Sequence, residues 1–177
     1  MKKKTLALVL ALTLLVAGIV GGTLAWLTDQ TAEVKNTFTV GDINIGLTET
    51  TTDYKMVPGN TIAKDPTVTV KANSEACWLF VKVTESTDLK DFITYAIAEG
   101  WAALPGVDGV YYREVPASAA DQTFSVLAGD AVTVKIDVTR TMLETAKTDA
   151  PTLTFKAYAI QKDHFATADA AWAEVSK

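Results

Sequence analysis

The sequence predicts an all-β fold, an antiparallel sandwich or barrel with one or two short helices, behind a cleavable export signal. Three observations predict it. The dominant hydrophobic period after residue 28 is two rather than 3.6. Turn-forming residues recur between the alternating runs. The first residues form a Lys-rich, then apolar, leader.

The leader comes first in the chain. Lys2, Lys3 and Lys4 precede an apolar run from Leu6 to Val20, the basic and apolar regions of a secretory signal. Thr23 and Ala25 provide the small residues at −3 and −1 for a cut between Ala25 and Trp26. The alternative is an uncleaved anchor, because the 23 residues from Thr5 to Leu27 carry no charge and about 20 suffice to cross a hydrocarbon core. The break at Gly21-Gly22 favours cleavage, so residues 1–25 are read as a signal peptide and membrane contact as ending with the cut.

Residues 26–41 form an N-terminal strand of their own. Between Asp29 and Val40 the odd positions are all polar, while the even positions include Ala32, Val34, Phe38 and Val40. After Gly41 the phase reverses and Ile43, Ile45 and Leu47 become the apolar set. A one-residue slip turns every side chain to the other face, so Gly41 marks a bulge or break.

Residues 42–177 make the main domain. Val68 and Val70 alternate with Thr67 and Thr69; Val132, Val134, Ile136 and Val138 alternate with polar residues across Ala131–Thr139; Leu153, Phe155, Ala157 and Ala159 do so near the end. Shorter runs lie at Phe92–Ala98, Gly109–Val115 and Gln122–Leu127. Eight or nine strands result, separated by Pro58-Gly59-Asn60, Asn73-Ser74, Pro105-Gly106, Asp108-Gly109 and Ala128-Gly129-Asp130. Thr141–Lys147 suits a short helix. Thr167–Val175 suits a second, with Thr167 as N-cap and Trp172 and Val175 on one face, placed at an end of the sandwich or against its side.

Composition narrows the function classes. The chain has a net charge of −5, and removing the three leader lysines takes it to −8, which argues against nucleic acid. Cys77 is the one cysteine, so no intrachain disulfide forms; it shares parity with Leu79, Val81 and Val83 and reads as a buried thiol.

The stretch Gly21-Gly22-Thr23-Leu24-Ala25-Trp26-Leu27-Thr28-Asp29, followed by Asn36–Ile43, resembles the TasA/camelysin family of biofilm-matrix fibre proteins with SipW-dependent-type signal peptides. Val57–Pro66, Cys77–Val83, Phe155–Gln161 and Ala168–Trp172 continue the likeness. Phe80 departs from it, standing where polar or basic residues are common. The resemblance implies a jelly-roll β-sandwich, cleavage by a SipW-type signal peptidase, and a secreted structural protein of the extracellular matrix or cell surface of a Gram-positive-type bacterium. It also implies polymerisation by donor-strand complementation, with the chain itself or a paralogous subunit as partner. Trp26, Thr28, Ala32, Val34 and Phe38 would then belong to the inserted strand, leaving Asp29, Glu33 and Lys35 in water. The alternative for that segment is pairing within its own chain or a frayed terminus.

Catalysis is not expected. Camelysin carries a metal-dependent peptidase label, but His164, beside Asp163, is the one histidine and cannot supply a zinc protease's ligand set. No Gly-x-Ser-x-Gly elbow occurs, and Asp88 with Asp91 reads as a solvated turn. Neither a cofactor nor a metal is expected; no Asp-x-Asp-x-Asp loop points to calcium. The rival function is a monomeric surface module binding glycan or protein, through Trp101, Tyr111 or Tyr112.

Overall fold

The computed structural model describes residues 42–51 and 54–177, with Lys3 alone before them. The chain divides after Thr39, and all the elements that follow lie in the unit Val40–Lys177. Residues 25–41, with the cleavage site, the N-terminal strand and the Gly41 phase break, lie outside the described residues.

Ten strands and three short helices are described. The strands are β1 (Ile45–Thr48), β2 (Thr61–Ala63), β3 (Thr67–Val70), β4 (Cys77–Glu85), β5 (Ile93–Thr94), β6 (Ala102–Ala103), β7 (Val110–Val115), β8 (Gln122–Ser125), β9 (Ala131–Val134) and β10 (Leu153–Gln161). The helices are α1 (Leu89–Phe92), α2 (Arg140–Ala146) and α3 (Ala168–Val175). Three sheets result, ordered β1-β3-β8, β10-β4-β7-β6 and β2-β9-β5, and every ladder in them is antiparallel. The fold is all-β, as the period-2 pattern requires.

β4 organises the packing. Its odd residues Cys77, Leu79, Val81 and Val83 share one core with Val68 and Val70 of β3, and Phe124, Phe155, Ala157 and Ala159 pack against it. The β1-β3-β8 and β10-β4-β7-β6 sheets therefore face each other across that core. Its even residues Trp78 and Phe80 point the other way, into a second core closed by Ala168 and Ala171 of α3. A strand covered on both faces needs a continuous apolar run, not an alternating one, and Cys77–Val81 supplies it. Cys77 is fully buried, as its parity indicates, and burial pushes its thiol up to about 11.

Helix α3 lies against the side of this sheet. The Thr167 hydroxyl accepts from the Ala170 N–H at 3.3 Å, the expected N-cap. Trp172 reaches Phe80 at 5.3 Å and Tyr158 at 5.1 Å between ring centroids, within the range of favourable aromatic pairs. Thr139 caps α2 in the same manner, accepting from Met142 N–H.

Two expectations need correction. The alternating run at Ala131–Thr139 is a strand only to Val134. Its partners run out there: Val134 bonds the Pro58–Asn60 turn through Gly59 and Asn60, and β5 ends opposite at Ile93. The chain then bends, closed by the Val138 N–H to the Lys135 carbonyl, leaving Ile136 81% exposed while Val138 is buried. Phe92–Ala98 likewise is no single strand. Leu89 and Phe92, three residues apart, bury one face of α1, β5 follows for two residues, and Ile97 makes an isolated bridge to Leu127. The strand count rises to ten because β5 and β6 are two residues each.

These contrasts predict opposite outcomes for two apolar truncations. Phe80→Ala removes a fully buried ring and should lower unfolding free energy by about 3–5 kcal/mol. Ile136→Ala should change it by less than about 0.5 kcal/mol. Urea denaturation of the two variants measures both; a costly Ile136→Ala would contradict the bend.

Candidate functional site: an open seam between two strand edges

Among the sheet edges that the described residues leave without a ladder, two come together. β1 pairs β3 on one side, and β10 pairs β4 on one side. β1 lies against β10, so the two free edges border a common seam. A cleft of about 390 Å³ opens there, lined by Leu47, Thr48, Glu49, Lys64, Leu153 and Phe155 among others. It adjoins a cavity of about 440 Å³ that runs toward Met56, Ile62 and Val132. Lys64, Leu153 and Thr154 line both.

Lys64 stands at the junction. It opens the β2–β3 connection, anchored by its N–H to the Asp130 carbonyl at 2.7 Å. Its side chain is 8% exposed, and its ammonium lies 2.6 Å from a Glu49 carboxylate oxygen. The same ammonium sits 4.6 Å from the Tyr54 ring centroid and 5.4 Å from that of Phe155. The Tyr54 hydroxyl donates to Glu49 at 2.8 Å, and burial followed by Glu49 raises that phenol above its ordinary value. The next residue, Asp65, accepts from the Thr50 N–H at 3.0 Å and from the Thr50 hydroxyl. Lys64 and Asp65 thus tie down the chain that leaves β1. A buried ammonium is tolerated because a carboxylate and two aromatic faces replace its water.

The aromatic residues singled out for ligand binding are partly engaged. Trp101 donates its indole N–H to the Ser125 carbonyl at 2.9 Å. Arg113 stacks 3.8 Å from the Phe124 ring centroid, with Trp101 at 5.4 Å; desolvation lowers its pKa. Tyr111 and Tyr112 face opposite sides of β7, Tyr111 toward the inter-sheet core and Tyr112 toward Trp78 and Phe80. Both are half-buried.

The Lys64–Glu49–Tyr54 cluster and the Arg113 stack were not anticipated from sequence. The only local signal for the first was Lys64-Asp65-Pro66, a charged pair entering an apolar strand. Ala25, Trp26, Thr28, Ala32, Val34 and Phe38 lie outside the described residues.

Metal chemistry finds no donor set among the described residues. His164 is exposed in a single 3-10 turn, Lys162–His164, and no group of three or more His, Cys, Asp or Glu could hold an ion. Asp88 flanks α1 and accepts from the Ser86 hydroxyl, and Asp91 lies in the first turn of that helix. No helix among them is long and apolar enough to cross a membrane.

The family described as camelysin metallo-endopeptidase matches residues 1–89, half of the 177-residue chain. No curated protein and no solved structure matches it.

Two predictions concern the cluster. Glu49→Leu strands a buried ammonium and should cost about 3 kcal/mol, whereas the double variant Glu49→Leu/Lys64→Met should regain most of that loss. A double-mutant cycle by chemical denaturation measures it. Asp65 has its pKa held below the ordinary 3.8 by the Thr50 hydroxyl and N–H. Its stabilisation is therefore complete above that value and lost as pH falls through the folded pKa. Asp65→Asn should flatten the acid limb of a stability–pH curve, with no change near neutrality in its slope.

Proposed function

Because the chain belongs to the camelysin metallo-endopeptidase family, we propose that it is a secreted structural subunit of an extracellular matrix, polymerising by donor-strand complementation. In this reading the leader is cut between Ala25 and Trp26 by a SipW-type peptidase. The freed strand, with Trp26, Thr28, Ala32, Val34 and Phe38 on it, enters the seam of a neighbouring copy or a paralogous subunit. The sheets facing each other across β4's core are read as a jelly roll.

The observation that carries the proposal is the seam, where the edges of β1 and β10 border one cleft. An extended segment there gains main-chain hydrogen bonds from an open edge, and its alternate side chains enter apolar space. The adjoining cavity, with Met56, Ile62, Val132 and Leu153 in its walls, suits such side chains. The contact is head-to-tail, so repetition gives an open filament unless a rotation closes it. A structural rather than hydrolytic role rests on donor chemistry: one histidine, exposed, with no carboxylate cluster described around it.

Residues 26–177, purified and viewed by electron microscopy, should form filaments, and the same protein lacking residues 26–35 should not. Filaments that survive the truncation would refute the donor-strand reading. A monomeric mature protein would refute polymerisation altogether. Mass spectrometry of the secreted form should find Trp26 at its N-terminus.

A further inference from the structure

The two edges of the seam are unequal, and the main-chain bonds beside each ladder show by how much. At the ends of β10 the Lys162 N–H donates to the Ala76 carbonyl and the Ser86 N–H to the Thr152 carbonyl. In the register that sets Ile160 opposite Trp78 and Thr154 opposite Thr84, the even residues of β10 therefore bond β4. Antiparallel ladders alternate, so Leu153, Phe155, Ala157, Ala159 and Gln161 turn their N–H and C=O groups to the free edge. The same argument from the Lys71 N–H to the Asn44 carbonyl leaves only Ile45 and Leu47 of β1 facing outward. β10 is the longer acceptor edge. Leu153, Phe155, Ala157 and Ala159 also pack on the inter-sheet core. A strand bonded to them puts the residues directly opposite on that same face.

The edge has a direction and a marked end. Leu153 and Phe155 stand beside Glu49 and Lys64 in the cleft. Gln161 lies at the other end, opposite Cys77. The chain enters β1 at that end, where the Asn44 N–H donates to the Ser74 hydroxyl at 3.2 Å. A strand parallel to β10 would bring its Gly41 there, beside the recipient's own Asp42. Two subunits meeting in that way exchange strands reciprocally and close a two-fold dimer. A strand antiparallel to β10 brings its Gly41 to the Lys64 end, and the contact repeats head to tail.

Resting on the donor-strand reading above, we propose that residues 28–38 of a second copy add to β10 antiparallel, with Val34 opposite Phe155 and Glu33 opposite Lys156. Three features of the acceptor answer this register. Asn36, the one polar residue at even positions from Ala32 to Val40, falls opposite Leu153, beside the buried Lys64–Glu49 pair. Its amide can accept from the first and donate to the second. Phe38 falls opposite Pro151, a wall of the 440 Å³ cavity that Met56, Ile62 and Val132 also line. On the outer face Glu33 meets Lys156, which is exposed, lies 4.9 Å from the Tyr158 ring centroid and makes no ion pair among the described residues. Opposite charges directly across a ladder are favourable and like charges are not. A slip of two residues one way sets Lys35 against Lys156. A slip the other way carries Phe38 past the cavity to the exposed Asp149.

The test uses the mature chain, residues 26–177. Cys77 is fully buried, so introduced cysteines are read without it. Glu33→Cys/Lys156→Cys places thiols at a non-hydrogen-bonded pair, about 4.5 Å between Cα atoms, which a disulfide spans. Oxidised filaments of this variant should give a ladder of covalent oligomers on a denaturing, non-reducing gel. Lys35→Cys/Lys156→Cys should give at least about tenfold less product, its thiols being one pleat repeat apart. Glu33→Lys should raise the critical concentration for assembly about threefold, and Glu33→Lys/Lys156→Glu should restore it. A ladder from the Lys35→Cys/Lys156→Cys variant instead would overturn the register. Cross-links that stop at dimers or stay within one chain would overturn the direction. Filaments seen by electron microscopy with neither pair cross-linking would overturn this inference and leave the donor-strand reading standing. A mature chain that forms no filaments would overturn both.

Discussion

The structure depends on burying one strand from both sides. β4 holds a ladder on each edge, with β10 over its whole length and β7 over its first six residues, so its backbone groups are satisfied before any side chain is considered. Its two faces then impose separate demands. Leu79 and Val81, at 0% exposure, need an opposing sheet, and β1-β3-β8 supplies it. Trp78 and Phe80 need a lid on the other face, and a four-stranded sheet with nothing above it would expose them. Helix α3 meets that demand with Ala168 and Ala171 at the contact, where small residues allow close approach, and Trp172 at the rim. Trp78 keeps its indole N–H satisfied by the Phe165 carbonyl at 2.9 Å.

Periodicity read the well-paired strands correctly, and for a physical reason. β3 has partners along its full length, so alternation in sequence becomes alternation in burial; β10 alternates only over its first four residues, because Tyr158 and Ile160 on its other face pack on the core closed by α3. Cys77 was legible by the same rule. Alternation failed at Ile136, because a pattern records which residues could share a face but not whether a partner strand is present beside them. It failed at Phe92–Ala98 because Phe92 closes a four-residue helix, β5 lasts two residues, and only Ile97 finds a bridge beyond it. Helix caps were legible, since Thr139 and Thr167 act within three residues of themselves.

The seam cluster was illegible for the opposite reason. Glu49 and Lys64 are fifteen residues apart, and nothing local links them. They meet because β1 pairs antiparallel with β3, which brings Thr48 opposite Thr67 and places the residues beyond each strand side by side. Phe155 joins from β10, ninety residues further on. The Arg113 stack has the same origin: Phe124 and Trp101 come from β8 and from the loop before β6, on separate sheets. Such contacts follow from topology, which a single sequence with period-2 strands leaves open among several sandwiches and barrels.

An exposed sheet edge is a hazard that proteins blunt with charge, short strands or cover. The seam carries some of each. β1 is four residues long, and Leu47 is its exposed apolar member. The Lys64–Glu49 pair sits at one end, a charged group held in place by its partner and therefore unable to move aside as a free surface lysine would. A strand arriving at the seam meets an apolar trough with one fixed polar end, which favours a single register: a slip by one residue would bring polar side chains onto Leu153 and Phe155.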